Sequence, residues 1–239
     1  MEKKICVWVP CYNEELTIAK VVDDLKKVLP KADVLVYDNN CEDKTAEIAK
    51  KHGAIVVKAP LQGKGNAVKQ MFEEARTERI YDYYIMIDGD DTYPAKDVTK
   101  LIELLDEGAD MAVGDRLSST YFKENKRPFH YVGNVTVRFL TNLLFRHKGQ
   151  EKVLDIMTGY RGFNRNYVES FRAKSEGFQI ETEMTAFALE KRMSIKCVSI
   201  EYRDRPAGSI SKLSTVKDGI KVLLMIVKLR FSYYRGSAD

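Results

Sequence analysis

The sequence is poor in the residues that mark the simplest functional classes. Only four of its 239 residues are cysteine (Cys6, Cys11, Cys41 and Cys197), and no two stand in CxxC spacing. That excludes a disulfide-stapled miniprotein. The three histidines, His52, His130 and His147, fall on predicted helices without clustered partners and are assigned no role. No apolar run approaches the roughly 20 residues that span a bilayer; the longest near the C-terminus is Val222 to Val227. The start, MEKKICVWVP, lacks the apolar stretch of a secretion signal, so a reducing cytosol is the expected compartment. Net charge is only +4, from 39 basic and 35 acidic residues, too little to argue for a nucleic-acid wrapper. The first strand-to-helix turn, Pro10 to Glu14, contains no glycine, against a dinucleotide fingerprint. Gly63-Lys64-Gly65-Asn66 lacks the upstream glycine and the Ser/Thr of a P-loop.

What is present is a core-forming composition, 44% apolar and 31% charged, in strict alternation of two periodicities. Strand-like runs at Ile5–Pro10, Val34–Asn39, Ala54–Lys58, Tyr83–Asp88 and Met111–Gly114 are separated by helical patterns at Glu14–Leu29, Lys44–His52, Lys64–Arg76 and Pro94–Asp106. Such βαβ units predict a mostly parallel sheet flanked by helices, with ligands beyond the carboxyl ends of its strands. The second half predicts an amphipathic stretch at Phe129–Arg146, a strand at Gly159–Asn164, a helix at Ile180–Arg192 and a strand at Ile195–Tyr202. No repeat or low-complexity linker divides the chain. One domain over residues 1–213 is expected, with 214–239 as a basic amphipathic appendage.

The loops after the first, second and fourth strands are polar or acidic: Pro10-Cys11-Tyr12-Asn13-Glu14, Asp38-Asn39-Asn40 and Asp88-Gly89-Asp90-Asp91. Carboxylates crowded at a strand end repel one another unless a cation sits between them. A divalent metal held by Asp88 and Asp90 together with substrate phosphate, Mg²⁺ or Mn²⁺, is one reading. A solvated turn whose aspartates cap the next helix is the other.

Six segments, three of them containing these loops, stand in order along the chain: Val9-Pro10-Cys11-Tyr12-Asn13-Glu14, Tyr37-Asp38-Asn39, Gln62-Gly63-Lys64-Gly65-Asn66-Ala67, Asp88-Gly89-Asp90, Gly114-Asp115-Arg116, and Thr158-Gly159-Tyr160-Arg161-Gly162-Phe163. With Arg205-Pro206-Ala207-Gly208-Ser209-Ile210-Ser211-Lys212-Leu213, they make the sequence resemble the family-2 glycosyltransferases of the dolichyl-phosphate mannosyltransferase and bacterial polyprenyl-phosphate glycosyltransferase type. The resemblance implies the nucleotide-sugar-binding α/β fold called GT-A. It implies that Pro10, Tyr12, Glu14 and Asp38 hold base and ribose, with Gln62 and Lys64 nearby. Asp88 and Asp90 would bind the metal and, through it, the diphosphate, while Arg116, Arg127, Arg205, Ser209 and Lys212 would face phosphates of donor or acceptor. Asp-Gly-Asp-Asp-Thr replaces the mannosyltransferases' Asp-Ala-Asp followed by an apolar residue and Gln, which leans the donor towards a UDP-hexose over GDP-mannose.

A sugar hydroxyl needs a base to take its proton, whereas a phosphate monoester is already anionic near neutral pH. Many cations and no obvious base favour a polyprenyl phosphate acceptor, undecaprenyl or dolichyl, clamped by Arg116, Arg127 and Arg205, with inversion at the sugar and a place in cell-envelope glycan synthesis. Transfer to a saccharide hydroxyl with Asp155, Glu181 or Glu183 as base, sugar nucleotidyl transfer, and a non-enzymatic sugar-nucleotide-binding module are the alternatives. Glu181 and Glu183, two residues apart, do not share a helical face, and one of them is expected in the cleft. Between Arg203 and Arg235 stand eight basic and two acidic residues. Over Thr215–Tyr234, Lys217, Lys221, Lys228 and Arg235 fall on one helical face, and Ile220, Leu223, Leu224, Val227 and Phe231 on another. With Tyr233 and Tyr234 beside Phe231, this predicts a helix lying on an anionic membrane surface, and hence a cytoplasmic protein peripheral to the inner face. For Phe129–Arg146 a core helix and an interfacial one are equally open, as is assembly into a homo-oligomer.

Overall fold

A computed structural model describes residues 3–78, 80–119, 128–209, 212 and 215–236. Strands β1 (Ile5–Cys11), β2 (Asp33–Asp38), β3 (Ile55–Lys58), β4 (Tyr83–Met86), β5 (Met111–Asp115), β6 (Arg161–Asn164) and β7 (Ile195–Ser199) form one sheet in the order β3-β2-β1-β4-β6-β5-β7. All pairings are parallel except those of β6, which runs antiparallel to both β4 and β5. The helices are α1 (Ile18–Val28), α2 (Thr45–Lys51), α3 (Lys64–Glu78), α4 (Val98–Asp106), α5 (Pro128–Phe145), α6 (Arg165–Ser170), α7 (Ile180–Glu190) and α8 (Thr215–Gly236); a single 3₁₀ turn, Ala95–Asp97, precedes α4.

The two-residue period of β1 splits its side chains between two cores. Cys6 and Trp8 enter one, where Trp8 packs against Phe72 and Tyr84 at ring distances of 5.2 and 4.8 Å. Val7, Val9 and Cys11 enter the other, against Ile18, Val21, Val22 and Leu25 of α1. Those four recur at the spacing of one helical stripe, so α1 exists as a helix because the sheet covers its apolar face. Both faces of the strand are thus buried, which explains why it reads as a continuous apolar run and not as an alternation. Pro10 is tolerated in it because β4 ends opposite Trp8, so no ladder partner on that side loses a donor.

The expected α/β architecture is present, with three differences. The antiparallel strand β6 lies between β4 and β5, α6 follows it without having been expected, and α8 is no appendage. Val222, Ile226 and Leu229 of α8 are buried in the same core as Trp8, against α5 and α7. Ile220, Leu223, Leu224, Val227 and Phe231 are exposed, as expected, so the helix has two apolar faces and only one is covered. α5 divides likewise: Val137 and Phe145 are buried, whereas Phe139 and Leu143 are more than 60% exposed. Lys221 and Lys228 are exposed; the side chains of Lys217, Tyr233, Tyr234 and Arg235 lie outside the described residues. No helix among the described residues is long and apolar enough to cross a membrane.

Candidate active site

The carboxyl ends of β1, β2 and β4 open onto one pocket of about 280 Å³. Three turns at this edge need a left-handed residue, at Asn13 (φ 54°), Asn40 (φ 62°) and Asp91 (φ 58°). Asn and Asp tolerate that region better than most side chains, and such turns concentrate where a loop is shaped for a ligand. The loop before α3 contributes Gly63, at φ 122°, where a Cβ would stand 2.4 Å from the Glu176 carbonyl oxygen. Only glycine lets the 174–178 segment pack against the start of α3 and bring Phe178 to the pocket wall.

Pro10, Tyr12, Glu14, Gln62, Lys64, Asp88, Asp90, Arg205 and Lys212, all expected from the sequence, line this pocket together. Their charges interlock. Lys64 Nζ lies 2.6 Å from Asp88 Oδ1 and 2.7 Å from Glu181 Oε1. Arg205 reaches Asp90 Oδ2 at 2.5 Å and Glu14 Oε1 at 3.2 Å, and also donates to Ser209 Oγ at 3.3 Å. Lys212 Nζ donates to Glu14 Oε1 at 2.9 Å and to the Asn13 carbonyl at 2.7 Å. Residues more than 190 positions apart in sequence therefore close the pocket from opposite sides.

Burial pushes the carboxyls of Glu14 and Glu181 above their ordinary range in spite of these cations. Asp90 is raised by burial and then by the neighbouring Asp88 charge, with Arg205 and the Thr92 hydrogen bonds opposing. Burial also works against the Lys64 ammonium, but Asp88 and Glu181 outweigh it and its pKa is raised. The helix-capping alternative for the Asp88-Gly89-Asp90 loop finds only partial support: Asp90 Oδ1 accepts from the Thr92 N–H and hydroxyl, but one oxygen of each aspartate, Asp88 Oδ1 and Asp90 Oδ2, meets a pocket cation.

The donor set suits a hard divalent ion. No group of three or more His, Cys, Asp and Glu side chains among the described residues could enclose a metal, but two carboxylates completed by ligand phosphate and water are the usual arrangement for Mg²⁺ and serve Mn²⁺ equally. The backbone leaves room behind Asp88 only because residue 159 is glycine; a Cβ there would lie 2.2 Å from Asp88 Oδ2.

Two expected residues stand elsewhere, and a third is not among those described. Asp38 is beside the pocket, not in its lining: its Oδ1 accepts from the Cys41 N–H at 2.8 Å and its Oδ2 from Lys58 at 3.0 Å. Arg116 turns away to Asp155, with Nε 2.8 Å from Oδ2, and to the Met157 carbonyl at 2.8 Å. Arg127 lies outside the described residues. Of the two glutamates, Glu181 is the one joined to the cleft, through Lys64; Glu183 accepts the N–H groups of Lys174 and Ser175 at 2.9 and 2.8 Å. His52 pairs with Asp23 and His147 lies near Glu190, and neither lines the pocket; the side chain of His130 is outside the described residues.

Among the lining residues to which the sequence assigned no role, Asn39 and Phe178 shape the pocket. Asn39 stitches the loops, donating to the Ala59 and Leu61 carbonyls at 3.0 and 2.6 Å and accepting the Gly63 N–H at 2.7 Å. It stood next to Asp38, and its signal was an amide at a strand end where several backbone groups need partners. Phe178 carried no signal, because its place depends on the packing of residues 174–178 on α3.

The model of the family described as glycosyl transferase family 2 matches residues 6–172. Among curated relatives, glycosyltransferase AglJ of Haloferax volcanii is 35% identical over 224 residues, covering 94% of this chain and 71% of the relative. A dolichyl-phosphate hexose transferase of the same organism is 31% identical over 219 residues, covering 91% and 90%. Among solved structures, glucosyl-3-phosphoglycerate synthase of Mycobacterium tuberculosis, in complex with Mn²⁺, UDP and glucosyl-3-phosphoglycerate, superposes with a TM-score of 0.70 at 21% identity over 94% of this chain and 80% of that one. The GT-A fold is common to both. With the sheet order and its acidic strand-end loops in place, the chain belongs to glycosyl transferase family 2 and is a glycosyltransferase.

Proposed function

We propose that this enzyme transfers a hexose from a nucleoside-diphosphate sugar, UDP-hexose in preference to GDP-mannose, to the phosphate of a polyprenyl carrier. The observation that carries the choice of acceptor is the state of the three candidate bases. Asp155 is completely buried and paired with Arg116, Glu183 caps the backbone at Lys174 and Ser175, and Glu181 is buried and held by Lys64. None stands ready to take a proton from a sugar hydroxyl. An acceptor phosphate, whose second pKa lies near about 6, needs no such base.

In this reading the donor's base and ribose lie along Pro10, Tyr12, Glu14 and Gln62, with Asp38 bracing the edge of β2, and its diphosphate lies towards Asp88 and Asp90. A divalent cation held by Asp88 and Asp90, Mg²⁺ or Mn²⁺, would neutralise charge on the departing nucleoside diphosphate. Lys64 and Arg205 stand beside the two carboxylates and balance the charge of the diphosphate oxygens; Arg205, Ser209 and Lys212 orient the phosphates through directed N–H and O–H groups. An oxygen of the acceptor phosphate attacks the anomeric carbon, the bond from that carbon to the leaving diphosphate oxygen breaks with its electron pair, and the configuration inverts. Nothing in this step requires a proton from the protein.

The exposed apolar residues of α5 and α8 support a peripheral position on a membrane. Phe139, Leu143, Leu224, Val227 and Phe231 stand on two helices that pack against each other, interspersed with exposed Lys221 and Lys228. An apolar face rimmed by lysines suits the headgroup region of anionic lipid, where a polyprenyl phosphate presents its charge. The name of the Haloferax dolichyl-phosphate hexose transferase favours the same acceptor class. Incubation with radiolabelled UDP- and GDP-sugars, Mn²⁺ and bacterial membranes tests the proposal: label should enter the organic phase. Label confined to water-soluble saccharide would overturn it, and release of pyrophosphate would indicate nucleotidyl transfer instead.

A further inference from the structure

Arg161, the first residue of β6, is completely buried, yet among the described residues its guanidinium forms no ion pair. It is devoted to neutral acceptors: Nε donates to the Thr158 carbonyl at 3.0 Å, Nη2 to the Ile156 carbonyl at 2.6 Å, and Nη1 to the Thr185 hydroxyl at 3.0 Å and the Met111 sulfur at 3.4 Å. A buried cation is a costly means of satisfying four neutral groups, so its retention calls for a reason. Arg116 grips the same segment at the intervening positions, through the Asp155 carboxylate at 2.8 Å and the Met157 carbonyl at 2.8 Å. Two arginines thus hold successive residues of one irregular strap, 155 to 158, in alternation.

The strap runs directly into Gly159. Its N–H donates to the Tyr93 hydroxyl at 3.2 Å, and its Cα faces Asp88 so closely that a Cβ would lie 2.2 Å from Oδ2 and 2.6 Å from Cγ. Lys64 holds the other oxygen of that carboxylate, Oδ1. The backbone at residue 159 therefore determines where the Oδ2 of Asp88 can point. We infer that Arg116 and Arg161 are positioning residues for Asp88: by fixing the 155–158 strap they set Gly159 behind the carboxylate and aim it at the divalent cation beside Asp90. This rests on the reading of Asp88 and Asp90 as the metal-binding pair. It gives Arg116 a task in place of the phosphate contact expected from sequence, and it gives the Arg161 of Thr158-Gly159-Tyr160-Arg161 a reason to be arginine, since a lysine offers one ammonium where a fork serves four acceptors.

The test is Mn²⁺ binding to the full chain, read from the electron paramagnetic resonance of free Mn²⁺, with UDP and in parallel with GDP. Three variants are compared with wild type: Arg161→Lys, Gly159→Ala, and Leu25→Ala, a core truncation on α1 that lowers stability without touching the strap. Arg161→Lys and Gly159→Ala should each weaken Mn²⁺ binding by about tenfold or more, the scale of removing an outer-shell partner of a metal ligand. Leu25→Ala should bind Mn²⁺ as wild type does. Wild-type affinity in Arg161→Lys, or equal weakening in Leu25→Ala, would overturn the inference while leaving the metal pair standing. If Arg161→Lys does not fold, Arg116→Lys, which keeps a charge at Asp155 but loses the fork to the Met157 carbonyl, decides in its place, with weaker Mn²⁺ binding expected and wild-type binding overturning the inference. Failure of the wild type to bind Mn²⁺ with either nucleotide would overturn the metal pair itself, and the positioning role with it.

Discussion

Replacing Lys64 with methionine keeps most of the side-chain volume and removes the single ammonium between Asp88 and Glu181, which it meets at 2.6 and 2.7 Å. Two carboxylates are then left without their shared cation, one of them, Glu181, almost fully buried. Breaking a buried ion pair by removing one partner costs about 3–5 kcal/mol. The low end applies here, about 3 kcal/mol, because Asp88 keeps 22% of its side chain in contact with solvent and is screened there. For a chain of this size each kcal/mol lowers the thermal midpoint by about 2–4 °C, so a fall of about 6–12 °C follows. Trp8, the only tryptophan and 1% exposed, supplies the fluorescence signal for denaturant titrations. The effect has a pH signature. In wild type the raised pKa of Lys64 keeps its contribution intact below the ordinary value of 10.5, so it is constant between pH 5 and pH 7. In Lys64→Met the Glu181 carboxyl, already raised by burial, rises further; its penalty is absent below the ordinary 4.5 and grows as pH climbs through the raised folded value. The deficit at pH 7 must therefore exceed that at pH 5. A deficit under about 1 kcal/mol, or one larger at pH 5 than at pH 7, refutes the ion-pair account of the pocket floor.

Arg205→Lys keeps the charge but cannot span Asp90, Glu14 and Ser209 together; losing one charged hydrogen bond, worth about 1.5–3 kcal/mol, lowers kcat/KM about tenfold to hundredfold, and unchanged steady-state kinetics would remove Arg205 from the phosphate site. Burial works against the Asp38 charge, but the Cys41 N–H and the Lys58 ammonium more than offset it, so its pKa is lowered. Its stabilisation is present above the ordinary 3.8 and lost as pH falls through the lower folded value. Urea midpoints of wild type and Asp38→Asn should accordingly differ at pH 7 and converge towards pH 3, and a gap that widens in acid contradicts this. Because Val222, Ile226 and Leu229 are core residues, the proposed membrane face is tested by substitution and not by truncation. Leu224→Glu with Val227→Glu should abolish sedimentation with anionic liposomes at low salt while leaving the urea midpoint in place; undiminished sedimentation assigns that face to another partner.

The first half of the fold was legible because it is written in local signals: strand runs buried on both faces, amphipathic stripes, and polar loops at each strand end. The strand β6 was seen, but not its direction, since Arg161 to Asn164 is short and its neighbours β4 and β5 come from distant parts of the chain. The six-residue helix α6 is too short for a periodic pattern to emerge. Of the site, nine residues of one pocket were legible through motifs in order, whereas the partners of each were not. Glu181 finds Lys64, and Arg116 finds Asp155, only when the sheet has assembled. Arg116 misled for a physical reason: an arginine just past a strand end is equally suited to a phosphate and to a buried carboxylate, and only the strap at Asp155 distinguishes them. The two apolar faces of α8 show the same limit, since helical spacing reveals an apolar stripe but not whether core or solvent meets it.

The proposed transfer depends on a divalent cation joining the donor diphosphate to Asp88 and Asp90. Diffraction at the manganese absorption edge, from crystals grown with Mn²⁺ and UDP or GDP, tests this most directly. An anomalous peak within coordinating distance of oxygens from both Asp88 and Asp90 and from the diphosphate is the predicted result, and it should vanish in Asp90→Asn crystals. A bound nucleotide whose diphosphate lies on Lys64 and Arg205 with no anomalous density near either aspartate would contradict it.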